Sequence, residues 1–134
     1  MNRHSLAAVI IAFFLSHQLF ALASITEQIP SLSIEEVIAN SLILDGKEIT
    51  VEGVVKKLRF THSRSGKRYT IFRLHDDNNM YLSVYSKGKL HIKKGDRLRI
   101  TGKFKRKRRY FIFKFRNILK AKSVEDLSNG ESLK

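Results

Sequence analysis

The chain has 134 residues and no cysteine, and its 26 lysines and arginines against 12 aspartates and glutamates give a formal net charge of +14. This length allows one domain, and the lack of cysteine excludes disulfide bonds and thiolate metal sites. Such a charge surplus predicts attraction to polyanions such as nucleic acid, acidic glycan or anionic lipid. We therefore expect one strongly basic domain that is stabilised by packing alone.

The first 23 residues carry the pattern of a signal peptide. Arg3 precedes an apolar run at residues 6–15, and a small-x-small motif ends at Ala23. The apolar run is shorter than the roughly 20 residues that a membrane-spanning helix needs. We predict cleavage after Ala23 and a periplasmic or secreted protein without stable membrane insertion; an uncleaved membrane anchor is the alternative.

An N-terminal helical segment is predicted at residues 24–45. Apolar residues recur there at helical spacing, and Ser33 with Glu36 fits a capping box. These features predict a short helix at residues 34–40.

The apolar period changes to that of a β-strand after Gly46. Ile49 and Val51 alternate with polar neighbours, and from Val54 the apolar residues continue on the other parity. A change of parity at Gly53 predicts a β-bulge in one long, bent strand.

Four further strands are predicted between polar turns, at residues 67–75, 80–86, 97–104 and 110–116. A polar loop at residues 62–67 and a basic loop at residues 105–109 connect them, and the residues beyond Leu119 form a polar, partly disordered tail. Five short antiparallel strands suit a small closed barrel, in which a bent first strand serves both sheets, better than a two-sheet sandwich.

Three stretches carry a family resemblance. Residues 46–55 form an alternating strand that starts at a glycine, residues 66–76 end in Leu-x-Asp, and residues 95–104 start with a Gly-Asp turn. They resemble the OB-fold of bacterial nucleic-acid-binding proteins, such as anticodon-binding domains. The resemblance covers residues 46–124 and implies a mainly all-β chain: a five-stranded antiparallel OB-type β-barrel with a short N-terminal helix, preceded by the signal peptide and followed by a polar tail at residues 125–134.

Alternation along the second and third predicted strands sends one set of side chains out of the barrel. Tyr69, Arg73, Tyr81 and Tyr85 would share this outer face. The resemblance to nucleic-acid-binding OB domains implies that this face receives nucleic-acid strands. Exposed aromatic rings there can stack on bases. The alternative is that the tyrosines are ordinary half-buried strand residues.

Basic residues are predicted to surround that face and to bind phosphates, which releases counterions while the tyrosines hold unstacked bases. For the basic loop, a solvated hairpin tip or a lipid-facing patch is the alternative. The cations concerned are Arg64, Lys67, Arg68, Lys103, Lys105, Arg106, Lys107, Arg108, Arg109, Lys114 and Arg116.

These features predict an exported, non-catalytic protein that binds nucleic acid, preferably single-stranded, with little sequence preference. We predict no cofactor and no metal, because the histidines lack paired spacing and are interpreted as surface residues. Asp76, Asp77 and Asp96 are interpreted as turn residues rather than as a catalytic carboxylate cluster. The alternatives are an exported module that binds acidic glycan or anionic lipid, and a nuclease-like OB enzyme.

Overall fold

Seven strands and two short helices make up the part of the chain that the computed structural model describes, which is residues 28–110 and 113–133. The predicted signal peptide at residues 1–23 lies outside this part. The prediction of a mainly β chain is confirmed. In chain order the elements are β1 (Ser31–Leu32), α1 (Ile34–Ala39), α2 (Ser41–Leu44), β2 (Glu48–His62), β3 (Arg68–His75), β4 (Tyr81–Lys87), β5 (Arg97–Tyr110), β6 (Phe113–Asp126) and β7 (Glu131–Ser132).

The strands form one mixed sheet whose pairings return to the strand from which they start. β2 pairs antiparallel with β3, β3 with β4, and β5 with both β6 and β2. β4 and β6 complete the circuit as a parallel pair, with Ser83 opposite Ile118 and Tyr85 opposite Lys120. The prediction that all strands are antiparallel was therefore wrong. A circuit of five strands cannot alternate direction at every pair, so one pair must be parallel.

The long strand β2 has two partners in succession. Its first half pairs with β5 and its second half with β3, and Val54 belongs to both ladders. The predicted bulge at Gly53 was wrong, because Gly53 and Val55 keep the buried parity of the preceding residues. The register instead shifts between Lys56 and Arg59, where Lys57 has a φ of 52°.

Gly53 has a packing role instead. A Cβ atom at this position would lie 2.6 Å from the carbonyl oxygen of His75 and 2.8 Å from Cγ of Leu74. It would also lie 3.2 Å from Cδ1 of Ile34, so the missing side chain lets α1 approach β2. Glycine inside a strand commonly marks such a close approach.

The short strand β1 extends the sheet beside β2, in parallel, and the helix after it begins as predicted. Ser33 accepts a hydrogen bond at Oγ from the backbone amide of Glu36, at 3.1 Å, which caps α1. Ile34 and Val37 of this helix are buried in the hydrophobic core. The core also takes Phe72, Leu74, Leu82, Val84, Leu98, Ile100, Phe104 and Leu119 from the sheet.

Strands β5 and β6 are longer than predicted. Residues 105–109 are not a loop but part of β5, where they pair with β6 out to Tyr110 opposite Phe113. Past Leu119, where a tail was predicted, β6 continues to Asp126 and pairs there with β7. Consecutive charges favour a loop in sequence-based reasoning, but here each backbone has a partner strand to pair with. We call residues 103–110 and 113–120 the ribbon.

We predict that Gly53→Ala lowers the free energy of unfolding by about 1–3 kcal/mol, the usual cost of overpacking. Urea denaturation measures this change. Because the nearest atom is a backbone oxygen, shortening Ile34 to valine in the same protein should not restore stability. A Gly53→Ala protein as stable as the wild type would show that β2 can bend away from His75.

Candidate functional site

The three tyrosines that were predicted to share an open face lie in three environments. Tyr81 is exposed, and the guanidinium carbon of Arg73 lies 4.3 Å from its ring centroid. Tyr69 is half-buried and borders a hollow at the β2–β3 hairpin. Tyr85 is only 6% exposed, and the guanidinium of Arg108 lies over its ring at 5.4 Å. The expectation of an open Tyr85 was wrong, because a ribbon side chain covers it.

A groove of about 870 Å³ lies between the ribbon and the outer face of β2, β3 and β4. Six of its described lining residues are cationic and none of them is a carboxylate. Tyr81 and Phe115 provide aromatic rings. The lining consists of Lys57, Leu58, Arg59, Ile71, Phe72, Arg73, Tyr81, Ser83, Lys94, Lys114, Phe115 and Arg116.

The predicted binding residues divide into three groups. Arg73, Tyr81, Lys114 and Arg116 line the groove. Lys103, Lys105, Arg106, Lys107, Arg108 and Arg109 lie on the β5 strand of the ribbon, with Tyr85 beneath Arg108. Arg64, Lys67, Arg68 and Tyr69 lie at the β2–β3 hairpin, where the three basic residues are exposed.

Three cations of the groove were not among the predicted binding residues. Lys57 and Arg59 belong to β2, for which only the buried apolar residues were predicted. The bulge at Lys57, which changes the face to which the following residues point, was not predicted. Lys94 was assigned to a turn. The run Lys56-Lys57-Leu58-Arg59 does carry a signal for these cations. Three cations within four residues of a strand cannot all be buried, so this part of β2 must be exposed and basic.

The ribbon holds like charges in directly opposed positions. Its register pairs Lys103 with Lys120, Lys107 with Arg116, and Arg109 with Lys114. Opposed side chains lie about 4.5–5.5 Å apart at Cβ, where like charges destabilise a strand pair. A hollow of about 510 Å³ on the ribbon is lined, in the part of the chain described, by Lys107, Arg108, Arg109, Lys114 and Arg116. A bound polyanion would relieve this repulsion.

Ion pairs are found near the start of β5, before the ribbon begins. Arg99 lies between Glu52 of β2 and Glu125 of β6, at 2.8 Å and 3.1 Å. Hydrogen bonds from Arg99 to these two carboxylates raise the pKa of the guanidinium further above its usual value. Lys122 lies 3.4 Å from Glu48. Glu52 and Glu125 thus balance Arg99 outside the ribbon, and Glu48, which lies near Lys122, is also opposite Lys103 at the base of the ribbon.

Aspartates hold the turns, as predicted for two of them. Asp76 accepts hydrogen bonds from the backbone amides of Asn78 and Met80, both at 2.9 Å, and Asp96 accepts one from the amide of Lys93 at 2.9 Å. Within residues 28–110 and 113–133, no group of three or more histidine or carboxylate side chains is placed to hold a metal ion.

His75 supports the aromatic end of the groove and is not the surface residue that was predicted. It is 7% exposed, and its ring stacks on Tyr81 with centroids 5.1 Å apart. Its Nδ1 donates a hydrogen bond to Oδ1 of Asn79 at 2.9 Å, while Nε2 is buried without a partner among the described residues. Burial lowers the pKa of His75, and the charges of Lys56 and Arg73 lower it further.

No protein-family model and no curated protein matches the chain. Neither described helix has the length and apolar character that crossing a membrane would require.

We predict that Lys107→Glu raises stability, because it replaces a like-charge pair with an attractive pair to Arg116. The gain should be about 0.5–1 kcal/mol at low salt and smaller at high salt. Urea denaturation at two salt concentrations measures it. Lys122→Glu is the matched control with the opposite expected sign, since Lys122 faces Glu48. A loss of stability in both variants would contradict the repulsion that we infer in the ribbon.

We predict that stability falls as the pH drops below 6.5, the ordinary pKa of His75. The pKa is lower in the folded chain, so below this pH the unfolded chain binds a proton that the folded chain resists. The loss grows until the pH reaches the lowered pKa. Urea denaturation at pH values of about 7.5 and about 5.5, above the carboxylate range, measures it.

His75→Phe keeps a ring beside Tyr81 and should remove much of this pH dependence. His91→Gln, which changes an exposed histidine, should leave it in place. Equal pH dependence in the wild type and in His75→Phe would show that another group is responsible.

Proposed function

We propose that the chain is an exported OB-type β-barrel that binds single-stranded nucleic acid in the groove without cleaving it. The circuit of β2, β3, β4, β6 and β5 supports the fold part of this proposal, because an OB barrel has five strands in a partly open closure. OB domains bind oligonucleotides on their second and third strands, to which β3 and β4 correspond. Export is proposed from the sequence of residues 1–23.

The observation that carries the proposal is a groove with six cations, no carboxylate in its described lining, and Tyr81. Cations that neutralise phosphates release counterions, which provides affinity without sequence recognition. The guanidinium of Arg73 already lies over the ring of Tyr81, and a base can stack on a surface made of an aromatic ring and a guanidinium. Every base has a π-face, so this mode tolerates sequence. Bases must be unpaired to reach it, which favours single strands.

The ribbon extends the cationic surface in this proposal. Lys114 and Arg116 line the groove and also face Arg109 and Lys107 across the ribbon. A phosphate chain in the groove therefore lies beside the like-charge pairs and reduces their repulsion. Tyr85 contributes through Arg108 and not by direct stacking, since its own ring is buried.

One observation favours a second candidate, a general binder of polyanions such as acidic glycan. With Tyr85 buried and Tyr69 at the hairpin, Tyr81 is the one tyrosine among the described groove residues. Cations alone attract any polyanion. The two candidates differ in whether affinity depends on the aromatic ring.

The test is fluorescence anisotropy of a labelled oligothymidylate across a salt series, with heparin as competitor. Wild-type affinity should fall with salt at a slope of about −0.7 per phosphate neutralised. Tyr81→Ala should weaken binding by about 1–3 kcal/mol, the contribution of one stacked base. Arg73→Gln should weaken binding and reduce the salt slope.

Arg97→Gln is the matched control, because it removes an arginine that lies near Glu52 and not in the groove. It should bind much as the wild type does. If Tyr81→Ala binds like the wild type and heparin competes completely, the protein is a general polyanion binder. Shortening of the oligonucleotide during incubation with divalent cations would overturn the proposal of binding without cleavage.

A further inference from the structure

A second concave surface lies at the β2–β3 hairpin, outside the groove. It has a volume of about 400 Å³ and is lined by Phe60, Thr61, His62, Gly66, Arg68, Tyr69 and Lys89. We call it the hairpin hollow. Phe60 is 47% exposed although its ring has no polar atom, and the ammonium of Lys89 lies 5.2 Å from the ring centroid. An exposed phenylalanine beside a lysine offers a ring face and a positive charge at one place.

Strand pairing places side chains of the hollow on both faces of the hairpin, since Thr61 is opposite Tyr69 and these two alternate with Phe60 and Arg68. Phe60 is opposite Thr70 and His62 is opposite Arg68, so alternation places them on a common face. Arg59, the neighbour of Phe60, points to the other face, where it lines the groove. Phe60 of the hollow and Arg59 of the groove therefore lie on opposite faces of β2.

Lys89 is held in place by a buried threonine. Thr70 donates a hydrogen bond at Oγ1 to the carbonyl of Gly88, at 2.7 Å, and accepts one from the amide of Leu90, at 3.0 Å. The amide of Gly88 donates to the carbonyl of Arg68 at 2.8 Å. Because Thr70 is fully buried, these bonds fix the backbone on both sides of Lys89 against the hairpin.

One edge of β2 connects the two surfaces. Among the described strands, β2 pairs with β5 only as far as Val54, whereas its opposite edge pairs with β3 up to the hairpin. The edge that faces β5 is therefore open from Lys56 to the hairpin. A nucleic-acid strand that leaves the groove past Arg59 crosses this open edge and reaches Phe60. No described lining residue of the hollow is a carboxylate, so phosphates meet no opposing charge.

We infer that the hairpin hollow is a second subsite for the same single-stranded nucleic acid, where Phe60 stacks on a base and Lys89 and Arg68 bind flanking phosphates. This inference rests on the proposed function. Phenylalanine offers no hydrogen bond, so stacking on Phe60 does not select among bases. Its consequence is that a strand must be long enough to leave the groove before Phe60 contributes.

The test compares labelled oligothymidylates of about 4, 8 and 16 nucleotides, the range of footprints of OB domains. Phe60→Ala should weaken binding of the longest strand on the order of tenfold, as expected for one stacked base, and leave the shortest unchanged. Lys89→Gln should reduce the salt slope by about 0.7 for the longest strand alone. Leu42→Ala is the matched control, since Leu42 is 72% exposed and lines neither surface.

Each outcome separates the subsite from the proposed function. If Phe60→Ala binds the longest strand like the wild type while Tyr81→Ala does not, the second subsite is wrong and binding in the groove stands. Equal weakening at every length also overturns the inference, because the hollow would then be part of the first contact. If the wild type binds none of the strands, the proposed function fails and the inference fails with it.

Discussion

The arrangement of the whole sheet depends on β2 changing its hydrogen-bonding partner part-way along its length. Val54 is opposite Arg97 of β5 and also opposite His75 of β3. At this crossing, the backbone of β2 comes so close to His75 that no side chain fits at Gly53. The change of partner completes the circuit of five strands and makes β4 and β6 parallel. It also brings the outer face of β3 and β4 beside the ribbon, so the groove follows from backbone pairing.

Acidic residues pair with cations near the start of β5 but not in the ribbon, and this uneven distribution of charge connects stability with the candidate site. Near the start of β5, Arg99 is neutralised by Glu52 and Glu125 across two neighbouring strands. In the ribbon, cations face cations instead. Such pairs reduce the stability of the free protein, and a ladder of backbone hydrogen bonds must hold them together. A partner rich in phosphates changes this balance, since it supplies the negative charge that the ribbon lacks.

The sequence predicted the mainly β class, the short capped helix and the approximate position of most strands, because these depend on local apolar periods. It did not predict the ribbon, since residues 105–109 are all charged and only pairing with β6 makes them a strand. The exposure of the tyrosines was predicted in part. Tyr81 is exposed as predicted, but Tyr85 is buried beneath Arg108, and alternation along a strand cannot predict this contact between residues distant in the chain. The burial of His75 was missed for the same reason, because its environment is set by tertiary packing.

Protection of the sheet edge is a simpler explanation for the cations on β2. Open strand edges pair with other chains, and lysines and bulges oppose this, as Lys56 and the bulge at Lys57 can do here. This explanation does not extend to Arg73, Lys94, Lys114 and Arg116, which come from three other parts of the chain and face the same groove. Nor does it account for Phe60, since an exposed aromatic ring beside an open edge favours aggregation. A polyanion with stackable rings accounts for both the cations and the exposed ring.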